Sequence, residues 1–141
     1  MIKTQSDYDQ HYPSVPIIRW RGNVIEAVQR IGDRHYQETN WLRDNRPAWE
    51  SPNEVISVLV DDCLFELFLQ DCAFSFSDEQ HQTAADFSIK LNHFLNENPG
   101  SLEAEETLND PRWIDLQVSA MVFVAAFESH NDLRTSQCQT P

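Results

Sequence analysis

Three carboxylates stand close together inside a mostly apolar stretch of the sequence, and they are the first candidates for chemistry. Asp61, Asp62 and Glu66 interrupt the run from Val55 to Phe76, whose composition is typical of a core helix. Asp62 and Glu66 are four residues apart, so on a helix they share one face. Such a pair is suited to holding a divalent cation or to acting as an acid and a base. The alternative, which we favour, is that these acids mark the narrow solvent-facing edge of a buried helix.

A second pair of acids, Glu103 and Glu106, has the E-x-x-E spacing with which all-α nucleotide pyrophosphohydrolases bind Mg²⁺. The matching second pair of that arrangement is missing, because Glu128 and Asp132 are four residues apart. No cluster of Lys or Arg accompanies these acids to hold a triphosphate. We therefore expect a solvated acidic helix, with its acids near the N-terminus where the helix dipole favours negative charge.

The histidines and cysteines have no spacing that is typical of a metal site or a catalytic centre. The five His and three Cys form no H-E-x-x-H and no C-x-x-C motif. Cys63 and Cys72 are expected on one helix, about 13 Å apart along its axis, which is too far for a disulfide. They are interpreted as free thiols in a reducing compartment. Without a Gly-rich phosphate loop or a G-x-S-x-G motif, the sequence predicts no enzyme, no catalytic residue, no metal and no cofactor.

The charge of the chain is unevenly distributed. Residues 1–50 carry seven acids and seven bases, whereas residues 51–141 carry sixteen acids and three bases, so the whole net charge of −13 lies in the second part. This magnitude exceeds the about 2–8 charges that suffice to keep a small domain soluble. A surface this negative repels nucleic acid and anionic membranes and suits a basic protein partner. We therefore expect a basic protein partner, and neither nucleic acid nor a membrane.

The segment 19–49 differs from the rest because it carries six Arg and three Trp. Its own acids and the acidic remainder of the chain argue against nucleic-acid binding. One interpretation is that these Arg side chains pair with the acidic half of the same protein. A second is a protein-binding patch, since Trp and Arg are frequent anchors at interfaces.

The N-terminal third predicts an extended arm followed by short helices. Two prolines favour extended backbone over residues 1–22. Asn23 is a suitable N-cap for a first helix, and Gly32 is a suitable stop. A weak helix over residues 35–42 then leads into a loop that contains Trp and Arg.

The remaining two thirds predict longer helices with clear start signals, namely Ser51-Pro52, the capping box at Ser77, and Asp110-Pro111. The first of these helices is expected to bend or break near Asp61-Asp62. The predicted helices cover residues 52–76, 78–98, 102–108 and 111–127, and residues 129–141 are predicted to form a flexible tail.

The sequence therefore predicts a single all-α domain over residues 1–141, with about five or six helices and an N-terminal extended arm. Two nearly apolar helices, 52–76 and 111–127, are expected at its centre. No apolar segment is both long enough and poor enough in acids to span a bilayer. The N-terminus has no apolar core of a signal peptide, so a cytoplasmic location is expected.

In size, acidity and lack of catalytic motifs, the chain resembles bacterial immunity proteins that neutralise the toxins of contact-dependent growth inhibition and related polymorphic-toxin systems. The resemblance implies a tight one-to-one complex with a toxin domain, often an RNase or DNase, whose positive cleft or an adjacent surface is covered. Two alternatives stay open, an adaptor or regulatory module without an inhibitory role and an all-α metal-dependent nucleotide hydrolase. The candidate partner-binding residues are carboxylates at helix starts and on acidic edges: Asp61, Asp62, Glu66, Asp71, Asp78, Glu79, Glu103, Glu105 and Glu106.

Overall fold

The computed structural model describes residues 17–42, 50–71 and 74–129, and this part of the chain is almost entirely helical. It contains seven α-helices, one π-helical segment and no β-strand. The prediction of an all-α fold is confirmed. The helices are α1 Ile17–Gly32, α2 Arg34–Trp41, α3 Pro52–Ser57, the π-helical segment Val58–Asp62, α4 Phe65–Gln70, α5 Asp78–Glu97, α6 Ala104–Asn109 and α7 Pro111–Ser129.

The C-terminal helix α7 packs against both α1 and α5. Its inner face is fully buried and includes Trp113, Phe123 and Phe127. Phe123 stacks on Phe127 with the ring centroids 4.1 Å apart, and it also lies 6.0 Å from Phe65. Aromatic pairs at such distances add about 0.5–1.5 kcal/mol beyond the burial of their area. This aromatic cluster joins α7 to the segment that contains α3 and α4.

Helix α1 begins at Ile17, whereas the sequence predicted an extended arm over residues 1–22 and a helix start at Asn23. The prediction is wrong over residues 17–22, and residues 1–16 lie outside the described residues. The apolar repeat of the helix starts at Trp20, whose side chain is completely buried together with that of Val24. Burial of these side chains outweighs the weak helix propensity of the residues around Asn23. The predicted end at Gly32 is confirmed.

The middle segment is broken, where the sequence predicted one helix with a bend or break near Asp61-Asp62. The N–H of Cys63 donates to the carbonyl of Val58, five residues back, at 2.8 Å, which is the hydrogen bond of a π-turn. Leu64 then adopts the left-handed conformation, with φ 50° and ψ 57°. The expected break is confirmed, but a continuous helix to residue 76 is wrong because α4 ends at Gln70.

The helix starts predicted at Ser51, Ser77 and Asp110 are confirmed at the hydrogen-bond level. The Ser51 hydroxyl caps α3, and Ser77 forms a capping box with Gln80 at the start of α5. The short helix predicted over residues 102–108 is α6, which begins two residues later, at Ala104, because the Glu103 carboxylate caps it. At the start of α7, Asp110 accepts a hydrogen bond from the N–H of Arg112 at 2.9 Å.

Besides the arm, three further predictions concern residues that the structure does not describe. Residues 43–49, which make up most of the predicted loop that contains Trp and Arg, are not described. Cys72 is not described either, because it lies between residues 71 and 74. The predicted tail is described only at Ser129, which belongs to α7.

A buried amide connects the first two helices to α7. The side chain of Gln37 is completely buried, and its Nε2 donates to the carbonyls of Arg30 and Ile31 at 2.7 Å each. Its Oε1 accepts from Trp113 Nε1 at 3.1 Å and from Gln117 Nε2 at 2.6 Å. Gln37 therefore satisfies carbonyls at the end of α1, which have no partner within the helix, and holds α2 against α7.

Candidate functional site

Eight of the nine acids predicted to bind a partner are exposed, and the ninth is buried. Asp71 has only 4 % of its surface exposed, so the prediction that it contacts a partner is wrong. It is the last residue of the turn that ends α4, where its N–H donates to Phe68 and its carbonyl accepts from Phe74. Both of those neighbours are core residues, and the turn therefore folds Asp71 inward.

Six of the exposed acids lie at helix starts, where they stabilise the helices, and one of them is Glu66 in the first turn of α4. Asp78 and Glu79 occupy the first turn of α5. The two carboxylate oxygens of Glu103 accept from the backbone N–H groups of Glu105 and Glu106, at 3.2 and 2.7 Å. These acids therefore have a structural reason to be where they are, and Glu103 is fully engaged as a cap.

Glu103 and Glu106 border a cavity of about 250 Å³, which is also lined by Phe94 and Arg112. Arg112 supplies the positive charge of this cavity, and it forms ion pairs with Glu97 and with Asp110, the latter at 2.7 Å. The hydrogen bonds from Arg112 hold the pKa of the Asp110 carboxyl below its usual value. The cavity thus contains a cation, but that cation is already neutralised by two carboxylates.

Asp61 and Asp62 differ from the other acids because they lie at the end of a helical run. They form the last two residues of the π-helical segment and are both exposed; we call them the acidic π-turn. A carboxylate at the C-terminal end of a helix is disfavoured by the helix dipole. Asp61 accepts a hydrogen bond from the hydroxyl of Ser57 at 2.8 Å, and no ion pair among the described residues involves either acid.

The residue after the acidic π-turn ties it to α1. The carbonyl of Cys63 accepts from Trp20 Nε1 at 2.7 Å, and its thiol donates to the carbonyl of Asn23 at 3.6 Å. Burial, together with the negative charges of Asp62 and Glu26, raises the pKa of the Cys63 thiol to about 11. Glu26 of α1 is therefore close enough to influence Cys63, although its carboxylate also pairs with Arg30.

The predicted pairing of Asp62 with Glu66 on one helical face is wrong. The left-handed residue Leu64 separates them, so the spacing of four no longer places both on one α-helix. Glu66 instead accepts a hydrogen bond from the hydroxyl of Ser88 on α5 at 3.3 Å. The structure brings no three His, Cys, Asp or Glu side chains together as metal ligands anywhere in its described ranges.

Most of the described bases are engaged within the protein. Arg30 pairs with Glu26 at 3.1 Å and Arg34 with Glu38 at 2.8 Å. Both ion pairs are local to the N-terminal third, so the interpretation that these Arg side chains pair with the acidic half is wrong for them. Arg34 reaches that half through the carbonyl of Leu108, at 2.7 Å.

The interpretation of segment 19–49 as an interface anchored by Trp also changes. The side chains of Trp20 and Trp41 are 0 % and 3 % exposed. The ring of Trp41 lies 5.8 Å from that of Trp113 in the core. Both indoles therefore stabilise the fold and are not available to a partner, while the third Trp of the segment lies outside the described residues.

The profile of one protein family matches residues 15–141, which is most of the chain. The chain belongs to DUF7945. That family is described as a domain of unknown function. Comparison with curated proteins and with solved structures found no match. No described helix of this DUF7945 chain combines the length and apolar character that crossing a membrane requires.

Proposed function

We propose that this protein is an immunity-type inhibitor that binds and neutralises a basic, nucleic-acid-cleaving toxin domain through an acidic surface. The observation that supports the proposal is the acidic π-turn. Asp61 and Asp62 are exposed, have no ion-pair partner among the described residues, and lie where the helix dipole disfavours them. Because these two acids do not stabilise their own helix, a role in binding a partner explains why they are present.

The chemistry of such a partner matches the surface. A nuclease holds phosphates in a positively charged cleft, and carboxylates compete for the same cations. Complementary charge also speeds encounter, up to about 10⁸–10⁹ M⁻¹s⁻¹ at low salt. Because the described bases of the protein are mostly paired internally, few cations at its surface oppose this attraction.

The exposed acids differ in the role we assign to them. Asp61 and Asp62 are proposed as the direct contacts, and Glu66, which bonds to Ser88 of α5, is proposed to lie outside that contact. Asp78, Glu79, Glu105 and Glu106 are proposed to contribute to the long-range field only. The starts of α5 and α6 lie at opposite ends of the 20-residue helix α5, about 30 Å apart at 1.5 Å per residue, so one compact interface does not centre on both.

The first experiment recovers the partner with the whole protein as bait. Lysate of source cells is passed over the immobilised protein at low and high salt, and the retained proteins are assayed for nuclease activity. We expect a basic nuclease that is released by salt and that is inhibited stoichiometrically by the added protein. Recovery of only acidic or neutral partners contradicts the proposal.

A charge-matched pair of variants tests the assignment to the acidic π-turn. Asp61→Asn with Asp62→Asn removes the same charge as the control, Glu105→Gln with Glu106→Gln. We expect the first variant to weaken inhibition at least about tenfold, or about 1.4 kcal/mol, with a melting temperature equal to or above that of the wild type. The control should inhibit nearly as well but lose up to about 1 kcal/mol of stability per acid removed from the first helical turn.

Inhibition titrations and thermal melts measured on the same samples separate the two effects. If both variants inhibit as well as the wild type, the acidic π-turn is not the contact surface. If the control loses more inhibition than the π-turn variant, the start of α6 is the contact and our ranking is wrong.

Three further properties belong to the proposed inhibitor. The protein has no catalytic activity of its own, it acts in the bacterial cytoplasm, and residues 52–70 and 111–129 supply its two central apolar segments. An adaptor without an inhibitory role is the second candidate, and the exposed apolar side chains of α7 favour it. Recovery of a partner that is bound but keeps its activity identifies the adaptor.

A further inference from the structure

A groove between α4 and α5 is open at the surface of the protein. It has a volume of about 260 Å³, and its apolar lining comes from both helices and from the segment between them. We call it the α4–α5 groove, and its apolar lining residues are Leu69, Phe76, Ala84, Ala85 and Ile89. Ile89 is 59 % exposed. A concave apolar surface of this kind is suited to burying side chains of a partner.

The α4–α5 groove is preformed by contacts within the protein. The ring of Phe76 lies 5.2 Å from that of Phe127 and 5.6 Å from that of Phe68, both of which belong to the core. Ser88, which also lines the groove, donates its hydroxyl to Glu66 of α4 at 3.3 Å and so joins the two helices. Because these contacts fix the lining before a partner binds, little conformational entropy is lost on binding.

The groove has an acid at each end. Glu66 lies at the end marked by Ser88, to which it bonds. Asp78 lies in the first turn of α5, is exposed, and is three residues before His81, which lines the groove. Residues three apart share a face of a helix, so Asp78 continues the groove face toward the start of α5. Asp78 and Ser88 are ten residues apart in α5, which corresponds to about 15 Å along its axis.

Two described bases come near the groove, and they do not offset its acids. Lys90 of α5 pairs with Asp86 at 3.3 Å and with Asp115 of α7 at 3.4 Å, so it is matched by two carboxylates. Arg21 donates to the carbonyl of Phe127, whose ring packs behind the groove. With the two acids at the ends of the groove, four acids accompany these two bases. The groove therefore attracts a positively charged partner.

The order of features along the groove, an acid, an apolar lining and a second acid, identifies the occupant that suits it. A groove between two helices commonly binds the apolar face of an amphipathic helix. Three turns of such a helix span about 16 Å, which matches the separation of about 15 Å between Asp78 and Ser88. A basic residue at each end of those three turns therefore faces an acid of the groove while the apolar residues between them enter it.

We propose that the α4–α5 groove binds an amphipathic, basic helix of a partner protein. Its apolar side chains fill the groove, and its Lys or Arg side chains pair with Asp78 and Glu66. The inference is independent of the proposed inhibitory function, whose contact is the acidic π-turn. In the toxin complex Asp78 acts at long range and Glu66 lies outside the contact, whereas at the groove both touch a different occupant.

A designed peptide and the full-length chain test the proposal. The peptide is rich in Ala and Gln, has about 18 residues so that it forms helix, and carries two Leu on one face. A Lys lies one turn beyond each Leu, so the two Lys are about 16 Å apart in the helix. Fluorescence anisotropy of the labelled peptide measures binding. We expect saturable binding with a dissociation constant of about 100 µM or lower.

Two altered peptides separate binding in the groove from general attraction to a chain with a net charge of −13. A peptide with Gln in place of both Leu keeps the positive charge but has nothing to fill the groove. A peptide with Glu in place of both Lys keeps the apolar face but is repelled by both acids. We expect each to bind at least about tenfold more weakly than the first peptide, a difference of about 1.4 kcal/mol.

Matched variants of the protein locate the contact. Ala85→Gln narrows the groove and should raise the dissociation constant of the first peptide at least about tenfold. The control Ala125→Gln makes the same change at an exposed position of α7 and should bind like the wild type. Glu66→Gln keeps an acceptor for Ser88 but removes the charge, and should weaken binding about threefold, the effect of an exposed ion pair. Its control, Glu54→Gln, removes the same charge from the first turn of α3.

Three outcomes overturn the proposal. Absence of saturable binding up to about 1 mM means that the groove does not take a basic helix. Equal binding of the first peptide and either altered peptide means that charge alone, or apolar character alone, drives the association. Equal weakening by Ala85→Gln and Ala125→Gln, with circular dichroism showing that both variants fold, places the peptide on another surface.

Discussion

Gln37 shows how a single side chain organises three helices. It donates to two carbonyls at the end of α1 and accepts from Trp113 and Gln117 of α7, while its own backbone belongs to α2. Nothing in the sequence identifies it, because it stands among polar residues in a helix of weak periodicity. Its importance comes from tertiary contacts that span up to 80 positions of the chain, and those contacts leave no local signal.

Replacement of Gln37 by Ala should destabilise the protein strongly. The change leaves several buried polar groups without partners, each at a cost of about 1–3 kcal/mol, and we expect a loss of about 3 kcal/mol in the free energy of unfolding. Urea unfolding measures this. Gln82→Ala on the exposed side of α5 is the matched control and should stay within about 0.5 kcal/mol of the wild type. Equal stability of the two variants contradicts the role assigned to Gln37.

At the scale of elements, capping residues predict where a helix begins better than the hydrophobic composition of a segment does. The caps at Ser51 and Ser77 were predictable because a short polar side chain before an apolar repeat satisfies backbone N–H groups locally. The start of α1 was not predictable from its local sequence. Its first turn is stabilised by the burial of Trp20 and by the hydrogen bond from Trp20 to the carbonyl of Cys63, a residue far along the chain. The polar residues move to a different side of the predicted helix at Asp61-Asp62, and this change correctly indicated the break. It did not indicate that the break consists of a π-turn followed by a left-handed residue.

Leu64 is the left-handed residue after the π-turn, and Leu67 lies in the helix that follows. Replacement by Gly and by Ala should therefore have opposite orders of stability at these two positions. A residue with a Cβ in this conformation costs about 1–2 kcal/mol, and glycine avoids that cost. At Leu64 we therefore expect the Gly variant to be more stable than the Ala variant by about 1 kcal/mol. At Leu67, inside α4, the order should reverse by about 1 kcal/mol because Ala is the better helix former.

Urea unfolding of the four variants gives both differences, and each Gly and Ala pair removes the same leucine contacts to the core. The comparison therefore isolates the backbone term. Should Ala be the more stable residue at both positions, Leu64 does not occupy the left-handed region in solution.

At the scale of the whole molecule, net charge affects the stability as well as the choice of partner. The described acids outnumber the described bases, and the acidic π-turn has no ion pair among the described residues. The sequence did not predict which acids are exposed to a partner, because the backbone conformation at each helix end determines their exposure. Asp71 and Asp78 are both close to a helix end, yet one is buried by a turn and the other lies exposed in a first turn.

Added salt should raise the melting temperature of the protein. Repulsion among the excess carboxylates acts over distances that salt screens, since the Debye length falls from about 30 Å at 0.01 M to about 10 Å at 0.1 M ionic strength. Thermal melts at several NaCl concentrations measure the effect. A melting temperature that falls as NaCl rises over this range contradicts the prediction and means that the internal ion pairs contribute more than the repulsion.

The π-turn also has a consequence for how related chains can diverge. Its hydrogen bond spans five residues where an α-helix spans four, so loss of a single codon in this segment would allow regular helix to form again. Such a deletion would rotate all later residues of the segment by about 100° around the helix axis, and the carbonyl of Cys63 would no longer point at Trp20. Here the length of the segment, more than the identity of any one residue, determines whether the two aspartates are presented together at the surface.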